Sequence, residues 1–115
     1  MRLDKPRIAP LAESELDEKS RAMLGERFKT GKILNIFRTL IKAPKAYKAF
    51  MWWGGYILSD HNDLPARERE IIILRTGFNW KSGYEWAQHV RIGKDCGLTD
   101  EEIERIKAGP DARGW

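Results

Sequence analysis

Three titratable side chains in the second half of the chain, Glu70, Glu85 and His89, have the types and spacing of a proton-transfer site. Glu85 and His89 lie four residues apart, and Ser82 precedes Glu85 by three. Those offsets put all three on one helical face. Trp86, Val90 and Gly93 form an apolar stripe beside it, so the face borders a core. Glu70 belongs to the preceding helix. A short connection makes the two helices antiparallel neighbours, which brings Glu70 toward the end that carries His89. A carboxylate beside an imidazole in a partly dry cleft holds the ring in one tautomer, and such a pair relays a proton to or from a substrate. On this reading Glu70 and His89 are the candidate catalytic residues. Ser82, Tyr84, Glu85 and Trp86 are the candidate substrate contacts.

Each residue also has an ordinary reading. Glu85 and His89 make an i,i+4 surface pair. Glu70 pairs with Arg67, Arg69 or Arg75 on a solvated face. Trp80, Tyr84 and Trp86 serve as core or interface aromatics, Ser82 as a helix N-cap, and Cys96 as a small buried filler. His61, in a polar turn, faces solvent. A metal site is disfavoured. Bundle helices supply paired Glu-x-x-His sets to a dinuclear centre, whereas here Glu-x-x-x-His occurs once.

Helices must position these groups. Residues 1–13 carry Pro6 and Pro10 and read as an extended N-terminal arm. Ser14 reads as an N-cap, with helix over 15–28 and a break at Thr30-Gly31. Ile33, Ile36, Phe37, Leu40 and Ile41 recur at helical spacing over 33–42. Pro44 suits the first turn of a helix to about Ser59, with Gly54-Gly55 inside it. Pro65 opens the next helix, over 65–79. Its run Ile71-Ile72-Ile73-Leu74 also fits a buried strand, but strong helix formers precede it. Residues 83–95 form the following helix, with Gly97 at its C′ position. Thr99-Asp100-Glu101-Glu102 is a capping box for a last helix that stops at Gly109-Pro110. The expected fold is all-α with about six helices. The arm, 1–13, is followed by a single domain over 14–115.

The chain has 115 residues, a net charge of +4 and five tryptophans, with a sequence pI of about 9.3 and a mean hydropathy of −0.57. This length allows one domain with a modest core, and self-association helps such a chain cover its apolar faces. The basic stretches, Lys42–Lys48 and Lys5–Arg7, are short and interleaved with apolar residues. No nucleic-acid partner is expected. The one cysteine permits no intrachain disulfide. The longest apolar run, Ala49–Leu58, is ten residues, short of a membrane span. The N-terminus lacks the apolar core of a signal peptide. A cytoplasmic protein without membrane partners is expected.

The stretch from Glu70 to Gly97 resembles the carboxymuconolactone decarboxylase family, which includes the alkyl hydroperoxidase D-like proteins. Its peroxidase branch has a Glu, eleven residues, Cys-x-x-Cys, three residues and a His. Glu70 and His89 stand at the Glu and His positions with that spacing, and Ser82 and Glu85 replace the two cysteines. The Leu64-Pro65-x-Arg67-Glu68-Arg69-Glu70 run, Tyr84-Glu85-Trp86-x-x-His89, and Gly97-Leu98-Thr99-Asp100-Glu101-Glu102-Ile103 add to the resemblance. It reaches from about Ala43 to Gly109. It implies an alkyl hydroperoxidase D-like helical bundle that assembles into dimers, trimers or hexamers, with a site between two helices. In the peroxidase branch the second cysteine attacks the peroxide. That position is Glu85 here, so thiol-dependent peroxide reduction is expected to be absent, and Cys96 lies outside the motif. The decarboxylase branch also lacks the cysteine pair and works by acid–base chemistry on a lactone carboxylate. The resemblance therefore implies decarboxylation or isomerisation of a small unsaturated lactone or carboxylic acid, without a cofactor. His89 would be the proton donor, Glu70 its orienting partner, and Arg75 or Arg91 a clamp for the anion. A non-catalytic binding or assembly role is the alternative. Relatives of this type continue past a Gly-Pro-Asp-Ala-x-Gly-Trp stretch into further helices. This chain stops at Trp115 within it, so either it is a truncated piece or partners supply the missing cover.

Overall fold

The computed structural model describes residues 3–115, and all regular structure among them is helical. The first two residues of the expected arm lie outside the described residues. The chain divides after Ile57 into two compact units.

The first unit holds a single 3-10 turn, Glu13–Glu15, and helices α1 (Glu18–Leu24), α2 (Glu26–Lys29), α3 (Asn35–Leu40) and α4 (Pro44–Ile57). Asp17, not Ser14, caps α1: its Oδ1 accepts from the Ser20 N–H at 2.7 Å. Ser14 lies inside the 3-10 turn. The helix expected over 15–28 is split because Gly25 takes a left-handed φ of 56°, a conformation open to glycine at little cost. Leu16, Leu24, Ile41 and Tyr47 form the core of this unit. The Leu11 N–H donates to the Arg38 carbonyl at 3.2 Å and ties the arm to α3. Helix α4 runs unbroken through Gly54-Gly55.

The second unit holds α5 (Ala66–Asn79), α6 (Gly83–Asp95) and α7 (Asp100–Ala108). Its core is Leu74, Leu98, Ile103 and Ile106, with Ile71, Trp86 and Val90 packed around it. The Ile71–Leu74 run is helical: Leu74 is buried and Ile72 is exposed. Both connections on either side of α6 are closed by the same device. After α5, the Ser82 N–H bonds the Gly77 carbonyl and the Lys81 N–H bonds that of Phe78. After α6, Leu98 and Gly97 make the same two bonds to Gly93 and Lys94. Each is a Schellman closure, whose C′ residue is left-handed. Gly97 meets that need freely at φ 93°, whereas Lys81 adopts φ 55° with a side chain attached.

The tight turn after α5 leaves α5 and α6 antiparallel, and glycines set how near they come. A Cβ on Gly77 would lie 3.5 Å from the Glu85 Cβ. One on Gly93 would lie 2.9 Å from Leu98 Cδ1 and 3.7 Å from the Glu70 Cβ. Helix α7 begins with the expected capping box: Thr99 Oγ1 accepts from the Glu102 N–H, and Glu102 accepts from the Thr99 N–H. The latter bond holds the Glu102 carboxyl below its ordinary range, partial burial opposes it, and Arg67 adds to the lowering. Arg67 of α5 also hydrogen-bonds Glu102. Arg75, one helical stretch further on, donates to the Ile106 and Lys107 carbonyls at 2.9 and 2.8 Å and so caps the end of α7.

The close approach at Gly93 has a measurable cost if it is filled. Gly93→Val must displace Leu98 or spread the helices, which costs about 1–3 kcal/mol, and the urea midpoint of unfolding falls. Gly55→Ala meets nothing within 4 Å and gains up to about 1 kcal/mol of helix propensity. An unchanged midpoint for Gly93→Val would show that the glycine is not required.

Candidate functional site

The antiparallel α5–α6 pair brings the start of α5 against the second half of α6, and there Glu70 meets His89. The Glu70 side chain is fully enclosed, at 0% exposure, and His89 is 9% exposed. His89 Nδ1 and Glu70 Oε2 lie 2.7 Å apart. A carboxylate can only accept, so the proton of this bond sits on Nδ1. With that bond made, a neutral ring has its lone pair on Nε2 and an imidazolium has a second N–H there.

On the other side of the ring, Nε2 lies 3.5 Å from Glu85 Oε2. Glu85 is the more open of the two carboxylates, with a side chain 41% exposed. The ring thus lies between an enclosed acid bonded at Nδ1 and a solvent-reachable one near Nε2. The i,i+4 reading of Glu85 and His89 is the geometry found.

Arg69 completes the cluster. It is buried, its Nε is 3.4 Å from Glu70 Oε1, and it donates through Nη1 to the Ser59 carbonyl at 3.2 Å. A buried carboxylate needs a counter-charge or neutralisation, and Arg69 supplies one. From sequence, Arg69 is expected only as one of three arginine partners for Glu70 on a solvated face. Its burial depends on the Ser59 carbonyl ten residues earlier, for which the sequence carries no spacing signal.

The remaining sequence candidates are spread around this centre. Ser82 sits at the N-cap position of α6, half-buried, and its side chain makes no capping bond. Its backbone serves the turn instead. Tyr84 is exposed and lies about 140° around α6 from His89 at 100° per residue. Trp86 is half-buried against the core of the unit, with Phe78 at 5.8 Å between ring centroids and Lys107 Nζ 5.3 Å from its ring. Cys96, half-buried, is the C-cap residue of α6. Arg75 donates through Nη1 to two α7 carbonyls. Arg91 is exposed two residues past His89, an offset of about 200° that turns it off the His89 face. Among the described residues no group of three or more His, Cys, Asp and Glu stands placed to hold a metal ion. No helix among them is long and apolar enough to cross a membrane.

A hydrogen-bonded imidazole with a free ring nitrogen, a fixed tautomer and a neighbouring carboxylate open to solvent can take up and return a proton. It contains no sulfur nucleophile. Among known proteins, residues 44–111 match the family model described as the Carboxymuconolactone decarboxylase family. No curated protein and no solved structure matches the chain. The matched segment is more than half of the chain, which therefore belongs to that family.

Removing one member of the buried cluster leaves the others uncompensated. Glu70→Ala strands the Arg69 charge and the His89 Nδ1–H, and should cost about 3–5 kcal/mol of unfolding free energy. The double replacement Glu70→Leu/His89→Leu should cost less than the sum of the two single changes to Leu, because no unpaired polar atom remains between them. Strict additivity in urea unfolding would contradict the coupling.

Proposed function

We propose, with membership of that family as the premise, that the chain is an enzyme working by acid–base chemistry without a cofactor. Its substrate is a small unsaturated lactone or carboxylic acid, which it decarboxylates or isomerises. The observation that carries this reading is the enclosed Glu70–His89 pair, with Nε2 of the ring directed away from Glu70 and toward Glu85. A buried pair of this kind is costly to fold, and proton transfer is a use that repays its geometry.

In this reading Glu70 orients the ring and His89 moves the proton. For isomerisation, Nε2 removes a proton from the carbon next to the carbonyl and returns it to the far end of the resulting dienolate. For decarboxylation, His89 starts as the imidazolium. The electron pair of the breaking C–C bond enters the conjugated system, CO2 leaves, and the Nε2 proton goes to carbon. Glu85 steadies the imidazolium and passes protons between it and solvent. Ser82, one turn before Glu85 on the same face, hydrogen-bonds the substrate. Thiol peroxidase chemistry is not proposed, since the position of the attacking cysteine carries the Glu85 carboxylate.

Self-association is part of the proposal. Trp53 and Trp80 are both more than half exposed, and large apolar side chains left open support an interface. Light scattering behind size exclusion should give a mass above that of one chain. A monomer at micromolar concentration would remove this part.

The chemistry is tested by following CO2 release and ultraviolet absorbance over a panel of unsaturated lactone acids. His89→Gln should lower kcat on the order of 10²–10⁴-fold while circular dichroism stays unchanged. Glu70→Gln should also lower it, because the amide can donate to Nδ1 and so favours the tautomer with its proton on Nε2. Parent-level turnover in a folded His89→Gln protein would end the proposal.

A further inference from the structure

The first unit contains a hollow of about 850 Å³ that the acid–base site does not use. Four of its lining side chains are cations, Lys19, Arg27, Lys45 and Lys48, and none is acidic. Lys45 and Lys48 lie in the first turns of α4, the fourteen-residue helix that starts at Pro44. A helix start carries partial positive charge and unpaired N–H groups. Apolar surface comes from Met23, Met51 and Trp52. Trp52 is 82% exposed, so its indole stands beside the hollow without being used in the core.

Tyr47 is the second, independent observation. It lines the hollow and is 3% exposed. Its ring packs edge-on to Phe37 at 6.5 Å. Burial pushes the hydroxyl up from its ordinary range, and the Arg27 charge acts against that. Arg27 is itself held, 4.6 Å over the Phe37 ring. The small part of Tyr47 left open lies at the hollow, where a phenol can donate to a ligand oxygen.

We propose that this hollow binds a small amphipathic anion, an anionic head on an apolar tail, such as an acyl carboxylate or an alkyl monophosphate. The head meets Arg27, Lys48 and the Tyr47 hydroxyl. The tail lies against Met23, Met51 and Trp52. The volume is that of small-molecule sites. The mixed lining, cations beside Met23, Met51 and Trp52, favours such a ligand over a nucleic-acid strand or a lipid surface, which need an extended basic face.

Calorimetric titration of the full chain with decanoate, decyl phosphate and decanol tests this, all below their critical micelle concentrations. At least one of the two anions should bind at one site per chain and at least tenfold tighter than decanol. The stronger of the two identifies the head as carboxylate or phosphate. Arg27→Gln/Lys48→Gln should weaken binding tenfold or more, and Tyr47→Phe several-fold with its unfolding midpoint kept. His89→Gln should leave binding unchanged, which separates this site from the acid–base centre. Equal affinity for decanol, or no effect of the charge variant, would overturn the proposal. So would tighter binding to phosphatidylglycerol–phosphatidylcholine vesicles or to a single-stranded oligonucleotide than to decyl phosphate.

Discussion

A carboxylate with no access to water constrains the second unit more than any other group in it. Glu70 is enclosed on every side, and its charge is tolerable only with hydrogen-bond donors and a counter-charge in place. The donors come from two directions, His89 on α6 and Arg69 beside it on α5. His89 reaches it only if the two helices come close, and they come close only where side chains are missing. Gly77 and Gly93 provide those places, near opposite ends of the contact. The closely held helices in turn require the short Schellman-closed turn between them, with Lys81 in a left-handed conformation. One buried acid thus links a turn, two glycines and an arginine into a single requirement.

Glu70, Glu85 and His89 all belong to the unit from Leu58 to Trp115, and the cationic hollow belongs to the one before it. Each unit has its own apolar core. Their polar interiors differ in kind. In the second unit a buried acid has partners on both of its oxygens. In the first, a mostly buried phenol, Tyr47, borders the cationic hollow. The acid is enclosed by protein groups, and the phenol stands at an open hollow.

Much of the second unit was legible residue by residue. The bounds of α6 follow from Gly83 and Gly97, and the start of α7 from the Thr99–Glu102 box, because these signals act within one turn of the chain. The Glu70–His89 meeting was legible because antiparallel helices with a short link leave one alignment. Less local features were not. Ser14 and Asp17 both have the chemistry of a cap, and only the Ser20 N–H decides between them. Gly25 reads as an ordinary interior residue until its φ is known. The task of Arg75 depends on two carbonyls thirty residues away, and backbone oxygens leave no trace in residue type. The burial of Arg69 is hidden for the same reason.

The attachments of α7 to α5 have an outcome of their own. Arg67 holds the first turn of α7 through Glu102, and Arg75 holds its last carbonyls. Helix ends normally fray because their terminal groups lack partners. Here both ends are fastened to one neighbouring helix, so α7 has no loose terminus from which to unwind. Its backbone amides should exchange with solvent only when the α5 contacts open too, which makes the two helices one cooperative block. The helix that carries the enclosed acid therefore also governs when its distant neighbour can melt.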